Sequence, residues 1–164
     1  LVPPARVETA AARASLPAEI PHTDAAFTLS RAALLGAGAA SGSADLLTAA
    51  LESRSFQTRQ GAVAALGLMG DATATPLLLT RLKDPSGAVR AEAVRAVGRL
   101  GQAEDPAVLD TTEDRDPSVR LALVETLSAL KSAEAVNALR KLSRDPTPEV
   151  RSAAILALGG SLRY

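Results

Sequence analysis

The apolar positions of this chain recur in blocks. Val63, Val94, Val124 and Ile155 form one row, Leu66, Val97, Leu127 and Leu158 a second, and Ala62, Ala93, Leu123 and Ala154 a third. An arginine keeps step with them: Arg59, Arg90, Arg120 and Arg151 stand 31, 30 and 31 residues apart. Rows in step at such a spacing mark a repeated supersecondary unit whose copies stack to share a core. A fainter copy precedes these. "SRAALLGAGAASG" around Arg31 aligns with "TRQGAVAALGLMG" around Arg59, and Leu47 and Leu51 align with Leu78 and Leu82. The pattern predicts five first-helix segments with four second helices between them.

Each unit reads as a helical hairpin. In the first helix, Val89, Ala93, Val97 and Leu100 follow an i, i+4, i+8, i+11 pattern, one stripe of an α-helix. Gly67 and Gly70, and again Gly98 and Gly101, sit where that helix must end, because glycine adopts the left-handed cap at little cost. Second helices carry Leu78, Leu79 and Leu82 in one copy and Val136, Leu139 and Leu142 in another. The copy between them, "EDPAVLDTTED", is weaker: it has Val108 and Leu109, but Thr112 where a core Leu is expected. Asp-Pro pairs at 84–85, 116–117 and 145–146 fall at or near helix starts, where Asp caps free N–H groups and Pro fits the first turn. Residues 22–164 thus form one repeat domain of about four hairpins and a terminal helix. Residues 1–21 fall outside the register; they read either as a capping helix over "ARVETAAARAS" or as a proline-containing linker.

The consensus running through the copies, D-P-x-x-x-V-R-x-x-A-x-x-A-L-G, resembles the short HEAT-like repeat of the phycobilisome-lyase type, over roughly residues 24–160. Its period is shorter than the roughly 40–47 residues of the longer HEAT unit. The resemblance implies an all-α fold, an α-solenoid with a right-handed superhelix whose second helices line the concave side. It also implies that the recurring Asp and Arg residues are structural. Some relatives attach bilins, some excise damaged bases, and some are iron hydroxylases with repeated His-Glu pairs; this sequence has no such pairs.

Composition narrows the functions. With an aromatic share of 2%, Ala, Leu and Val must build the core, in thin layers that suit closely packed helices. Formal net charge is +0, from 18 basic and 18 acidic residues, which removes bulk attraction to nucleic acid or to an anionic membrane. Base excision calls for a basic groove and stacking aromatics, and two Phe, one Tyr and no Trp do not supply them. No apolar run approaches the roughly 20 residues of a membrane-spanning helix. The absence of cysteine fits a reducing or an oxidising compartment alike. A cytoplasmic location is the expectation, with export the alternative if a leader preceded Leu1.

Candidate chemistry is sparse. Asp84–Arg90, Asp114–Arg120 and Asp145–Arg151 share a six-residue spacing. They read as a structural ladder, each Arg bonding Asp side chains or backbone carbonyls of adjoining repeats; a row of anion-binding arginines is the other reading. The residues six before Arg31 and Arg59 are Ala25 and Ser53, so the ladder is expected to weaken towards the N-terminus. "GAGAASG" at 36–42 imitates a dinucleotide loop but lies in the helical register with no strand before it. "SALK" at 128–131 matches Ser-x-x-Lys without the companion motifs. His22 is the single histidine, too few ligands for a metal site, and the acid-rich "TTEDRDPS" at 111–118 lacks the glycine turn of a calcium loop. No cofactor, metal or catalytic residue is expected.

Surface is what remains. Stacked hairpins expose an extended face that the fold itself does not need. In the second helices the core takes Val136, Leu139 and Leu142, which leaves Asn137, Arg140, Lys141 and Arg144 outward. Asp110, Thr111 and Glu113 hold comparable places one repeat earlier, and Thr80 and Arg81 in the repeat before that. An acidic band beside a basic band points to a protein or peptide partner of mixed charge. The expected function is a non-catalytic protein-interaction scaffold. An accessory subunit of a bilin-lyase-type enzyme and a structural or oligomerising segment of a larger protein are the alternatives. Ile155, Leu158 and Leu162 lie on a last helix with no following hairpin to cover every face. Self-association, or a further segment, is expected at that end.

Overall fold

The structure, a computed structural model, describes residues 42–161, with side chains over 47–160. Helices and turns are the only secondary structure among the described residues. Helix α1 spans Gly42–Leu51 and α2 Phe56–Met69. A 3-10 turn, Ala72–Ala74, leads into α3, Thr75–Arg81. Helix α4 spans Gly87–Arg99, α5 only Pro106–Leu109, continued by a 3-10 turn over Asp110–Glu113. Helices α6, Pro117–Leu127, α7, Ala133–Leu142, and α8, Pro148–Ser161, complete the order. The expectations for residues 1–21, His22, the helix around Arg31 and Leu162 fall outside the described residues. Of "GAGAASG", only Gly42 is described, as the first residue of α1.

First helices stack in one layer, α2 on α4, α4 on α6 and α6 on α8. Each second helix seats on the first helix of the repeat that follows: α1 on α2, α3 on α4, the 3-10 turn of Asp110–Glu113 on α6, and α7 on α8. One apolar core runs between the layers from Leu47 to Ala154. The three rows read from the sequence supply it: Val63, Val94 and Val124, Leu66, Val97 and Leu127, and Ala62, Ala93, Leu123 and Ala154 are all buried. Ile155, the last member of the first row, is 54% exposed.

The paired glycines divide two tasks that the sequence pattern merges into one. Gly70 and Gly101 take φ of 71° and 76° and end their helices. After α4 the Gln102 N–H reaches the Val97 carbonyl at 3.1 Å and the Gly101 N–H the Gly98 carbonyl at 3.0 Å, which satisfies carbonyls the helix leaves free. Gly67 and Gly98 do not terminate anything. They lie inside α2 and α4, at the crossing with the next first helix. A Cβ at Gly67 would stand 2.7 Å from the Ala96 Cβ, and one at Gly98 would stand 2.3 Å from the Thr126 Cγ2. Backbone contact of this closeness is what a core of small side chains requires.

The Asp-Pro pairs also differ among themselves. Asp116 caps α6, accepting the Ser118 N–H at 2.9 Å, with Pro117 in the first turn. Asp84 and Asp145 lie two residues ahead of the caps Ser86 and Thr147, whose N–H groups their carboxylates accept at 2.9 and 2.8 Å. Asp114 does the same for the Asp116 N–H at 2.8 Å.

Those three aspartates, and not their neighbours six residues on, define the ladder. The Arg90 Nε and Nη2 fork onto the two carboxylate oxygens of Asp114, both at 2.7 Å, while Nη1 donates to the Asp84 carbonyl at 2.9 Å. Arg120 forks onto Asp145 at 2.6 and 2.9 Å and donates to the Asp114 carbonyl at 2.6 Å. The six-residue pairing is therefore a bond to the aspartate's backbone; its carboxylate belongs to the arginine one repeat earlier. This corrects the expected N-terminal weakening. Arg59 forks onto Asp84 at 2.7 and 2.8 Å and takes the Ser53 carbonyl at 2.8 Å, for which the side chain at 53 is irrelevant. The incomplete member is Arg151, which donates Nη1 to the Asp145 and Pro146 carbonyls and has no carboxylate among the described residues.

The Arg120–Asp145 pair is buried, with Asp145 6% and Arg120 8% exposed, and the other two pairs are each buried on one side, at Asp84 and at Arg90. The Arg120 guanidinium holds the Asp145 carboxyl below its ordinary value against the opposing effect of burial. Burial pushes the Asp84 and Asp114 carboxyls up, but the forked arginines and the N–H donors outweigh it and leave both lowered. The arginines are raised in turn, chiefly by their bonds to these aspartates.

Four outcomes are expected. Arg120→Ala removes one partner of a buried pair and lowers the unfolding free energy by about 3 kcal/mol, read from the midpoint of chemical denaturation. Carboxyls with lowered folded pKa contribute fully above the ordinary Asp value of about 4 and lose that contribution as pH falls through the folded values. Stability is thus level near neutrality and falls below about pH 4, less steeply in Arg120→Ala than in the parent. Gly67→Ala destabilises by about 1–3 kcal/mol through overpacking, although Ala is the better helix former. Gly159→Ala in α8, where nothing lies within 4 Å of the added Cβ, stabilises by up to about 1 kcal/mol.

Candidate functional site

The outward surface of the second-helix layer is built by the helices that bury its other side. Ser132 caps α7, accepting the Ala135 N–H at 3.1 Å. From there Ala135, Ala138, Leu139 and Leu142 turn into the core. The 3.6-residue period leaves Asn137, Arg140, Lys141 and Arg144 exposed. Asp110 and Glu113 are exposed on the preceding 3-10 turn, and Thr80 is exposed at the end of α3, its hydroxyl donating to the Leu77 carbonyl at 2.6 Å.

Thr111 departs from the expected surface: it is buried, 7% exposed, and its hydroxyl donates to the Val108 carbonyl at 2.6 Å. The reason is the 3-10 winding. At three residues per turn Thr111 falls directly over the buried Val108, on the core side. Thr112 is buried as well, so two threonines share the place of the core leucine.

Two of the expected surface cations are engaged between repeats. The half-buried Arg81 donates to the Leu51 carbonyl at 3.0 Å, at the open end of α1, and pairs with Glu52 at 3.1 Å. Lys141 reaches the Thr112 hydroxyl at 3.1 Å and pairs with Glu113. Long basic side chains thus bridge adjacent second helices and join the acidic band to the basic one. The side chains of Asp110, Asn137, Arg140 and Arg144 make no hydrogen bond or ion pair among the described residues.

Where α7 meets the turn ahead of α6, an open cleft of about 380 Å³ is lined by Thr112, Glu113, Arg115, Lys141, Arg144 and Pro146, with the ladder groups Asp114, Arg120 and Asp145 beneath. Arg115 was missed by the pattern of second helices because it lies in a turn. Its signal was available: in the register it stands where the other copies carry Pro85 and Pro146. The ladder arginines themselves offer no anion site here, since Arg59, Arg90 and Arg120 spend their forks on carboxylates. In "TTEDRDPS", Asp114 is held by Arg90 and Asp116 is the α6 cap. In "SALK", the Ser128 hydroxyl donates to the Glu125 carbonyl at 2.8 Å. Among the described residues no group of three or more His, Cys, Asp or Glu side chains is arranged to hold a metal ion, and no helix is long and apolar enough to cross a membrane.

Comparison with known proteins agrees with this architecture. HEAT repeats match over residues 44–112 and 106–163. Curated protein sequences yield no match. Among solved structures, the complex of CpcE and CpcF of phycocyanin lyase from Nostoc sp. PCC7120 superposes with a TM-score of 0.64 at 22% identity, over 92% of this chain and 70% of that one. At that identity the likeness is one of fold. Together the register, the stacked hairpins and the matched residues place the chain in the HEAT-repeat family.

Proposed function

We propose that the chain is a non-catalytic scaffold that binds a protein or peptide segment of mixed charge along its second-helix layer. One observation carries this reading: Asp110, Asn137, Arg140 and Arg144 stand exposed on that layer with side chains the fold does not use. Glu113 and Lys141 sit between them as an exposed pair, so an acidic stretch and a basic stretch lie side by side. Such segregation favours one docking register over its reverse. Arg115 and Arg144 at the cleft extend the basic side.

Retrieval of a partner by the full chain, followed by titration of that partner, tests the reading. Arg140→Glu with Arg144→Glu weakens binding about tenfold or more at low salt and leaves the helical signal unchanged. Equal affinity in parent and double variant sinks it. Lys141→Met separates binding from folding. The exposed Glu113 pair contributes at most about 1 kcal/mol, so the denaturation midpoint holds while binding becomes less salt-dependent.

The fold likeness to a phycocyanin lyase complex supports a second reading, an accessory subunit of a bilin-lyase-type enzyme. Visible absorbance in protein purified from its source distinguishes it from the scaffold.

A further inference from the structure

Each described turn into a first helix carries one basic side chain with no structural task. The ladder position of these turns, Ser53, Asp84, Asp114 or Asp145, is flanked by Glu52 and Arg54, by Lys83 and Pro85, by Glu113 and Arg115, and by Arg144 and Pro146. Where the residue before it is Glu, the residue after it is Arg. Where the residue after it is Pro, the residue before it is Lys or Arg. The two glutamates are engaged, Glu52 by Arg81 and Glu113 by Lys141 of the following second helix. Arg54, Lys83, Arg115 and Arg144 are exposed, and their side chains form no ion pair among the described residues. Of the four, only Arg115 has a hydrogen bond, a long one of 3.4 Å from Nη2 to the Pro85 carbonyl.

The alternation brings these cations together in twos. Arg115 follows the ladder position of one turn and Arg144 precedes that of the next, and both line the open cleft of about 380 Å³. The other charges of that cleft are matched: Glu113 by Lys141, Asp114 by Arg90 and Asp145 by Arg120. Two unmatched guanidinium groups with no carboxylate left over make a seat for an anion. Arg54 and Lys83 repeat the arrangement in the register. Glu52 and Glu113, Arg54 and Arg115, and Lys83 and Arg144 are each 61 residues, two repeats, apart. The formal charge of +0 conceals this edge, because Asp71, Glu104, Asp105 and Glu134 gather at the other edge, in the turns within the hairpins.

We propose that the turn edge binds an extended acidic segment of a partner protein, with one carboxylate seated between Arg115 and Arg144 and a second between Arg54 and Lys83. Packed helices lie about 8–10 Å apart, so the two seats are about 16–20 Å apart. That is the reach of about five or six residues of extended chain. A single nucleic acid strand would lack a stacking platform, since no aromatic side chain lines the cleft. The inference rests on the scaffold reading only in taking a protein segment as the ligand. Arg54, Lys83 and Arg115 lie in turns, off the second-helix surface of Asp110, Asn137 and Arg140.

The probe is a fluorescent peptide of Gly and Ser carrying two Glu-Glu pairs about six residues apart, titrated against the full chain at low salt. It binds saturably. Arg115→Gln and Arg54→Gln each weaken binding about fivefold or more and keep the parent's denaturation midpoint, so the loss is one of binding. Arg99→Gln removes an equal charge at the far end of α4 and leaves the affinity unchanged. A peptide with the same glutamates in one run binds about threefold or more weaker, because it cannot span both seats. Four results overturn the proposal: no saturable binding, an equal loss with Arg99→Gln, equal affinity for the two peptides, or an oligothymidylate of the same charge that binds as tightly as the spaced peptide. None of them bears on the groove reading, which is tested on the retrieved partner; equal affinity there for parent and double variant leaves the effect of Arg115→Gln on the peptide standing.

Discussion

A planar guanidinium laid across the two oxygens of a buried aspartate joins each repeat to the next. Burying a charge is unfavourable unless its partners are complete, and here they are. Each of Asp84, Asp114 and Asp145 receives both prongs of an arginine fork and a backbone N–H from the residue two ahead. Each arginine spends its remaining nitrogen on a carbonyl of its own repeat. One node therefore ties together the turn, the start of a first helix and the stacking of two repeats. Bidentate geometry fixes angle as well as distance. A seam of Ala and Val, which slides more easily than interlocked large side chains, gains its registration from these nodes.

The seam in turn depends on close approach. Gly67 against Ala96 and Gly98 against Thr126 bring successive first helices near enough for thin side chains to fill the layer between them. With the first helices bearing both the fork and the seam, the second helices are less constrained. One shrinks to a single α-turn and a 3-10 turn, whose threonines Thr111 and Thr112 stand in for a leucine. Their outer surface is where charged residues accumulate without structural partners, and so where a binding function has room to vary.

The architecture was legible because hydrophobic rows and arginines moved together in the sequence; burial of Val63, Val94 and Val124 follows from that period alone. What one-dimensional spacing hid was direction. Asp84 and Arg90 are six apart and do touch, but through a carbonyl, while the carboxylate looks back to Arg59. A constant offset within the repeat is also a constant offset between repeats, so the pattern cannot tell the two partners apart. The glycines were ambiguous for a related reason. Gly98 and Gly101 are close in sequence, yet one faces a neighbouring helix and the other adopts φ of 76°. On the surface, helical periodicity placed Asn137, Arg140, Lys141 and Arg144 outward. It failed at Thr111, where a change from 3.6 to three residues per turn rotates the side chain inward.

The stack depends on the aspartate of the following repeat being the arginine's side-chain partner. Double-mutant cycles on unfolding free energy separate the two candidates for Arg90. Arg90→Ala combined with Asp114→Ala is predicted to show a coupling of about 2 kcal/mol or more, within the range for residues in one network. Arg90→Ala combined with Asp84→Ala is predicted to couple much more weakly, because Asp84 bonds Arg90 only through its backbone carbonyl and its carboxylate acts on Arg90 through space without a hydrogen bond. Strong coupling to Asp84 with additivity at Asp114 would contradict the account.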